Sequence, residues 1–223
     1  LHDLETNLKT IIQNNLKTNF LISIQNGLVD NNKYTKLLGS QKLNIICVFE
    51  GYNLFNSELK VKNTETGWKV ENNNDGKKIS TLLQDIGVNC NPEKDFELYR
   101  AEKTIANCSL NVLSAIEKKP FSKLFESKIL KERIDKLIDE CYLVLKTAKY
   151  PLQNILVIKQ KIFQDWGKMK HYSSTYQDAI VGKETEIDFL NGYIIKLGKK
   201  YKIATPENDS LVKEFYKIYP LHR

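Results

Sequence analysis

The chain has 223 residues, of which 41% are hydrophobic and 27% charged, and its formal net charge is +7. That composition describes an ordinary globular protein with room for a sizeable core in one domain or two, and no apolar run approaches the roughly 20 residues that span a bilayer. The lysines are spread along the sequence without a nucleic-acid-binding motif, so we expect a solvated surface that attracts anionic small molecules, with no nucleic-acid partner and no membrane.

The cysteines and the N-terminus bear on the cellular context. The four cysteines are scattered, with neither a CxxC pair nor a histidine cluster nearby, which favours reduced, packed thiols in a cytoplasmic protein over a zinc site or a disulfide framework. The first residues contain no basic segment followed by an apolar one, so we expect no signal peptide. Because Leu1 is not a methionine, we expect the sequence to begin within a longer protein.

The first part of the sequence alternates between helical and strand patterns. Apolar spacing predicts helices over residues 3–16, 31–38 and 79–86, and buried strands over residues 20–24, 43–49 and 88–90. Residues 58–62 and 68–71 indicate a hairpin or meander, and the polar run 72–76 predicts a loop. Because helices and strands alternate, we expect part of a parallel α/β sheet.

Beyond Asn91-Pro92 the hydrophobic spacing is almost wholly helical. Helices are predicted over residues 97–118, 122–147, 151–166, 174–181, 185–202 and 206–218. Prolines and one glycine mark the breaks between them. We therefore predict an α/β domain over residues 1–93 and an all-α domain over residues 94–223.

Local rules alone can account for the polar stretch between residues 171 and 208. Ser174 and Gln177 have the spacing of a capping box, and a further helix is predicted to begin near Glu184. In this interpretation Ser174 only caps a helix, and Glu186 only complements a helix dipole.

The same stretch also contains a fixed order of residues that local rules do not require. Its members are Ser173-Ser174, Gln177-Asp178, Gly182, Thr185-Glu186-Ile187-Asp188, Asn191-Gly192, Gly198 and Thr205-Pro206. In this order and spacing the stretch resembles the C-terminal domain of ketopantoate reductase (2-dehydropantoate 2-reductase). The resemblance covers essentially the whole chain, weakly to about Lys94 and strongly afterwards.

The resemblance implies a fold. Ketopantoate reductases have a Rossmann-like nucleotide-binding domain followed by an all-α domain like the C-terminal domain of 6-phosphogluconate dehydrogenase. The family carries a G-x-G-x-x-G phosphate loop near its N-terminus, and no segment of this sequence supplies one. We therefore expect residues 1–93 to be the second half of the nucleotide-binding domain and residues 94–223 to be the substrate and catalytic domain.

A second informative segment lies in the predicted helix over residues 97–118. Lys103, Asn107 and Asn111 are spaced four residues apart, so they share one helix face opposite an apolar stripe. Asparagine is a poor helix former, and the simplest interpretation of these residues is a solvent-facing polar stripe. In ketopantoate reductases a lysine followed by asparagines at these spacings lines the substrate site, and the three residues match that pattern.

The resemblance implies two catalytic residues. Reduction of a 2-keto acid places a hydride on the carbonyl carbon, so the carbonyl oxygen needs a proton. Lys103 would donate it, since a lysine in a partly desolvated cleft has a lowered pKa and can act as a general acid. Glu186 would organise the ternary site by accepting hydrogen bonds.

The resemblance also implies binding residues for a small 2-keto acid and for NADPH. Asn107, Asn111 and Ser174 would bind the substrate. Asn26 would contact the nicotinamide end of the cofactor, together with Glu186. We expect Asn26, Ser174 and Glu186 to converge with the catalytic Lys103 on one cleft between the two domains, and we expect no metal.

Four positions depart from the family pattern. Ala101 stands where a tryptophan is common, Val112 where a proline follows the second asparagine, and Thr175 where a methionine follows the serine pair. His171 replaces an asparagine on the substrate face, which leaves the exact 2-keto acid open. A lone histidine in a polar loop is also interpretable as an exposed surface residue.

We therefore expect NADPH-dependent reduction of 2-dehydropantoate to pantoate, towards pantothenate and coenzyme A, by a cytoplasmic monomer or homodimer. The alternatives are a related 2-keto acid or opine-type dehydrogenase, and a non-catalytic helical dimerisation module that cannot bind cofactor alone. The missing glycine loop favours the last alternative for this polypeptide, whereas the matching lysine, asparagines, serine and glutamate favour the first.

Overall fold

The structure is a computed structural model that describes residues 4–28, 31–39, 41–48, 51–55, 58–62 and 67–220. The chain divides into two compact units, unit 1 (Leu1–Glu97) and unit 2 (Leu98–Arg223). The sequence places this division a few residues earlier, between residues 93 and 94. Unit 1 is built from strands and helices, and unit 2 is helical.

The described part of unit 1 contains a mixed sheet and a hairpin. Its elements are α1 (Leu4–Gln13), β1 (Leu21–Ile24), α2 (Asn31–Leu38), β2 (Leu43–Val48), β3 (Gly51–Phe55), β4 (Glu58–Lys62), β5 (Trp68–Glu71), α3 (Asn74–Asp85) and β6 (Cys90–Glu93). The sheet has the order β1-β2-β5-β6, in which β1 and β2 are parallel, β2 and β5 antiparallel, and β5 and β6 parallel. Residues 3 and 49, which the sequence assigns to predicted elements, lie outside the described residues.

Two local predictions for unit 1 are wrong. The sequence pairs β4 with β5, but β4 pairs with β3, and β5 joins the sheet beside β2. The polar run 72–76 is not only a loop, because the Asn73 side chain accepts a hydrogen bond from the Gly76 N–H at 2.9 Å and α3 begins at Asn74. A Cβ on Gly76 would lie 1.9 Å from the Glu71 carbonyl oxygen, so glycine lets α3 pack directly on β5.

The core of unit 1 lies between α3 and the sheet. Ile46, Val70, Ile79 and Cys90 form its buried apolar cluster. Burial raises the pKa of the Cys90 thiol to about 11, so this side chain stays protonated and behaves as a small hydrophobic group. The polar atoms nearby are bonded: Ser80 donates to the carbonyl oxygen of the same cysteine at 2.8 Å.

The remaining elements form a helical bundle. They are α4 (Phe96–Glu117), α5 (Phe121–Leu124), α6 (Lys128–Thr147), α7 (Ile155–Asp165), a 3-10 turn (Trp166–Lys168), α8 (Ser174–Ile180), a second 3-10 turn (Ile187–Phe189), α9 (Asn191–Tyr201) and α10 (Pro206–Ile218). Helix α4 starts at the end of unit 1 and lies mostly in unit 2. Residues 101–102 and 104–115 of α4 are all buried, which makes it the central helix of the bundle.

Three predicted helices of unit 2 are interrupted or start late. The segment 122–147 breaks after α5, because the Ser127 hydroxyl accepts a hydrogen bond from the Leu130 N–H and caps a new helix. Helix α7 likewise starts only after Asn154, whose side chain accepts from the Leu156 N–H at 2.9 Å. The segment 185–202 begins as a 3-10 turn before α9, whereas α10 has the bounds that the sequence predicts.

Polar ties and close helix contacts hold the bundle together. Arg133 on α6 donates two hydrogen bonds to Glu214 on α10, at 2.8 and 2.6 Å. Gly198 on α9 lets the following turn approach closely, since an added Cβ would lie 2.8 Å from Thr205 Cγ2 and 2.9 Å from the Ile203 carbonyl oxygen. Within the described ranges, no helix is long and apolar enough to cross a bilayer, and no cluster of potential metal ligands occurs.

Candidate functional site

The three matching residues of α4 lie in the centre of the bundle. Asn107 and Asn111 are only 3% and 5% exposed, and Lys103 is half-buried. The interpretation as a solvent-facing stripe is therefore wrong for the two asparagines. Glu102 fixes the turn that carries the lysine, because its carboxylate accepts hydrogen bonds from the backbone and side-chain nitrogens of Gln153 at 3.1 and 3.3 Å.

The two asparagine amides differ from the other polar groups of the same helix. The hydroxyls of Thr104, Ser109 and Ser114 are buried and each donates to a backbone carbonyl, at 2.9, 2.8 and 2.6 Å. None of the residues that the structure describes forms a hydrogen bond with the amide of Asn107 or Asn111. Two such groups one turn apart are suited to binding a polar ligand.

The serine pair has a different division of roles from the one that the sequence predicts. Ser173, not Ser174, caps α8: its hydroxyl accepts from the Tyr176 N–H at 3.1 Å and donates to the Asn111 carbonyl oxygen at 2.8 Å. Ser173 is 1% exposed, whereas Ser174 is the first residue of α8 and is exposed. The capping serine therefore brings the start of α8 to the turn of Asn111 and leaves the next hydroxyl at the surface.

Glu186 lies before a 3-10 turn rather than in a helix. Its carbonyl oxygen accepts from the backbone N–H groups of Phe189 and Leu190, each at 3.0 Å. Helix α9 starts only at Asn191, so the expected interaction of Glu186 with a helix dipole is wrong. The Asn191 amide donates to the Cys108 carbonyl oxygen at 2.8 Å, which brings this segment to the α4 turn that carries Asn107.

His171 is packed against an aromatic ring and is not an exposed loop residue. It is half-buried, and its ring meets that of Phe121 edge-on, with 5.3 Å between the ring centroids. Its carbonyl oxygen accepts from the Phe121 N–H at 3.1 Å. The loop that leads into α8 is therefore anchored on α5 two residues before the capping Ser173.

Within unit 2, these contacts bring the segments of Ser174 and Glu186 to neighbouring turns of α4. Asn26 belongs to unit 1, where it is half-buried in the turn after β1, next to Gly27 with φ of 78°. The convergence of Asn26 with the residues of unit 2 stays a prediction. Sequence reasoning missed Ser173 and Glu102, because neither the choice between adjacent serines nor a tie to a residue 51 positions away has a local signal.

Solved structures with a similar fold include a PanE/ApbA family ketopantoate reductase from Ralstonia eutropha. It has a TM-score of 0.84 and 23% sequence identity, and the match covers 99% of this chain and 74% of that one. A D-mandelate dehydrogenase in complex with NADH has a TM-score of 0.83 and 22% identity, covering 100% of this chain and 77% of that one. The expected fold class, a partial Rossmann-like α/β domain followed by an all-α domain, is confirmed.

The relatives in sequence are 2-dehydropantoate 2-reductases. The 2-dehydropantoate 2-reductase of Aquifex aeolicus is 33% identical over 143 residues, which are 61% of this chain and 45% of the relative. That of Lactococcus lactis is 29% identical over 140 residues, with the same two shares. The chain thus spans about half the length of these curated relatives. The family model "Ketopantoate reductase PanE/ApbA C terminal" matches residues 95–217, and the chain therefore belongs to the ketopantoate reductase family, whose members are oxidoreductases.

Proposed function

We propose that the protein reduces 2-dehydropantoate to pantoate with NADPH. The observation that carries this proposal is the pair of buried amides on α4, Asn107 and Asn111, which bond to none of the described residues. A helix with only a structural role gains nothing from two such groups. A 2-keto acid with a hydroxyl and a carboxylate offers both donors and acceptors to them.

The residues of the chain suit the proton-transfer half of this reaction. NADPH, when bound, supplies the hydride that goes to the carbonyl carbon. Lys103 would donate a proton to the carbonyl oxygen, so that the product is a neutral hydroxyl. Before this proton transfer, the positive charge of the lysine would stabilise the developing alkoxide. Asn107 and Asn111 would hold the substrate with its carbonyl oxygen towards the lysine, and the exposed hydroxyl of Ser174 would contact it from the start of α8.

Two residues of this chain would contact the cofactor. Gly27 has a positive φ, which allows the tight turn that presents Asn26 at the end of β1. Glu186 would accept hydrogen bonds from hydroxyl groups at the nicotinamide end. The sequence contains no G-x-G-x-x-G segment, so none of its residues is proposed to bind the pyrophosphate.

A related 2-keto acid is the second candidate substrate, and His171 is the observation that favours it. Its ring packs on Phe121, and the rings of Tyr172 and Tyr176 stack on each other with 4.8 Å between their centroids. These aromatic groups surround the start of α8 and favour a 2-keto acid with a larger apolar substituent. The two candidates differ only in the substrate, and both use the same lysine.

Steady-state kinetics of the full-length natural protein test the proposal. With 2-dehydropantoate and NADPH, we expect Lys103→Ala to lower kcat about 10²- to 10⁴-fold, the usual contribution of a general acid. The affinity for NADPH, measured by fluorescence, should change little. Lys131 on α6 is exposed, and Lys131→Ala is the matched control that should keep normal turnover.

Three results would contradict parts of the proposal. Near-normal turnover in Lys103→Ala would exclude this lysine as the acid. Turnover of bulkier 2-keto acids but not of 2-dehydropantoate would favour the second candidate. No turnover of any 2-keto acid with NADPH or NADH would favour a non-catalytic helical module.

A further inference from the structure

A chain of side-chain hydrogen bonds joins four helices of unit 2: α6, α10, α9 and α4. It begins at Glu140 on α6, whose carboxylate accepts from the backbone N–H groups of Glu207 and Asn208 at 2.8 and 3.0 Å. The same carboxylate accepts from the Asn208 side-chain amide at 2.8 Å. Glu140 thus binds the first turn of α10 through three donors.

The chain of hydrogen bonds continues from α10 to α9 and α4. The Asn208 side-chain oxygen accepts from the Asn191 amide at 2.9 Å, and that amide also donates to the Cys108 carbonyl oxygen at 2.8 Å. Both asparagines are completely buried. Because a carboxylate only accepts, the NH₂ group of Asn208 must face Glu140, and its oxygen must then face Asn191. The direction of every bond is therefore fixed.

The chain of hydrogen bonds ends next to two residues of the candidate site. Cys108 follows Asn107 directly on α4. Asn191 is the first residue of α9 and lies two positions after the end of the 3-10 turn. Backbone bonds from Phe189 and Leu190 to the Glu186 carbonyl oxygen close that turn. The position of Asn191 thus determines where the turn that begins at Glu186 lies along α4.

We propose that Glu140, Asn208 and Asn191 are positioning residues that hold the turn of Glu186 beside Asn107. The effect of these three residues on catalysis rests on the proposed reductase function, but their effect on the structure does not. The three residues touch neither substrate nor cofactor in this proposal; they act through the carboxylate of Glu186 and the amide of Asn107.

The surroundings explain why polar residues suit this task. Leu137 and Ile138 on α6 and Leu211 on α10 are fully buried on the same helices. Apolar packing alone tolerates small shifts between helices. The Asn191 side-chain oxygen is buried without a partner among the described residues, but its NH₂ group makes both bonds of the chain. A shift between the helices would break these bonds and leave further buried groups unpaired. The adjacent Cys108 thiol adds no competing charge, because burial and a hydrogen bond with Cys141 raise its pKa.

Hydrogen exchange and kinetics of Asn208→Ala test the proposal in the full-length natural protein. Val144→Ala is the matched control, since Val144 is also buried on α6 but takes no part in the chain of hydrogen bonds. We expect faster exchange in the peptide over residues 184–192 in Asn208→Ala and not in the control. Where Asn208→Ala does not fold, Glu140→Gln, which keeps the shape and removes the charge, gives the same comparison.

The kinetic result should separate positioning from general stability. At equal loss of thermal midpoint, Asn208→Ala should lower kcat about 10- to 100-fold, the effect of a displacement of about 1 Å, with KM for NADPH changed less. The control should keep its kcat. Unchanged exchange over residues 184–192, or equal kcat in the two variants, would overturn the proposal. A wild-type protein that reduces no 2-keto acid would refute the proposed function, while the exchange comparison would still decide the positioning role.

Discussion

The clearest test of the candidate site compares two buried asparagines that differ in their partners. Asn107 is 3% exposed and its amide bonds to none of the described residues. Asn191 is 0% exposed and donates two hydrogen bonds, to Cys108 and Asn208. Replacement by alanine removes the amide in both cases, but only the second variant loses hydrogen bonds within the protein.

The expected effects on stability differ. In Asn107→Ala, alanine is the better helix former by up to about 0.7 kcal/mol, and no hydrogen bond to a described residue is lost. Lost packing offsets this gain, so we expect an essentially unchanged free energy of unfolding. In Asn191→Ala the loss of two buried hydrogen bonds should cost about 2–4 kcal/mol.

Thermal unfolding and steady-state kinetics measure the two effects. A change of 1 kcal/mol shifts the midpoint of a domain of this size by about 2–4 °C, so the two variants should differ by at least about 4 °C. Asn107→Ala should nevertheless lower kcat/KM for 2-dehydropantoate, because the substrate loses a hydrogen bond. A midpoint for Asn107→Ala well below that of the wild type would show that its amide is bonded within the protein, and would refute the argument that it is kept for a ligand.

Three further comparisons test the local structure. Ser173→Ala should lower the free energy of unfolding by about 1–2 kcal/mol, since it removes a helix cap and a buried hydrogen bond. Ser174→Ala should keep the stability of the wild type and raise KM for the 2-keto acid. Chemical denaturation and steady-state kinetics distinguish the two variants. Gly198→Ala should destabilise by about 1–3 kcal/mol through overpacking, and Gly192→Ala, where the nearest contact of the added Cβ is 3.6 Å, should be neutral or stabilising in the same assay. The hydrogen bonds from Arg133 lower the pKa of Glu214. The stabilisation by the Glu214 carboxylate is therefore fully present above the ordinary carboxyl pKa and is lost as the pH falls through the lowered pKa. The difference in thermal midpoint between wild type and Glu214→Gln should accordingly disappear in acid.

Much of the fold could be predicted because its signals are local. Helix α10 has the predicted bounds, since Thr205-Pro206 is a strong start signal. The break after α5 could not be predicted, because apolar spacing continues across it and only the bond from Ser127 to Leu130 shows where a new helix starts. The pairing of β5 with β2 instead of β4 is a non-local choice that strand patterns do not determine.

The candidate site was predictable in residue types but not in environment. Helical spacing places Asn107 and Asn111 on one face, and it cannot show whether that face is covered. Their burial depends on segments far along the chain: Ser173 bonds to α4 across 62 positions, and Asn191 across 83. Such contacts leave no periodic signal near residue 107, so a sequence argument assigns a polar helix face to solvent by default.

The same long-range contacts distinguish a ligand-binding face from a structural one. Ser173 and Asn191 reach α4 with side chains that donate hydrogen bonds, and both direct them to backbone carbonyls, of Asn111 and Cys108. Those carbonyls already belong to helical turns, whereas the neighbouring amides of Asn107 and Asn111 have no partner among the described residues. An arrangement serving stability alone would pair the donors with these amides, because that satisfies more polar groups of the helix. The helix is instead tied through its backbone, and its amides remain available to a substrate.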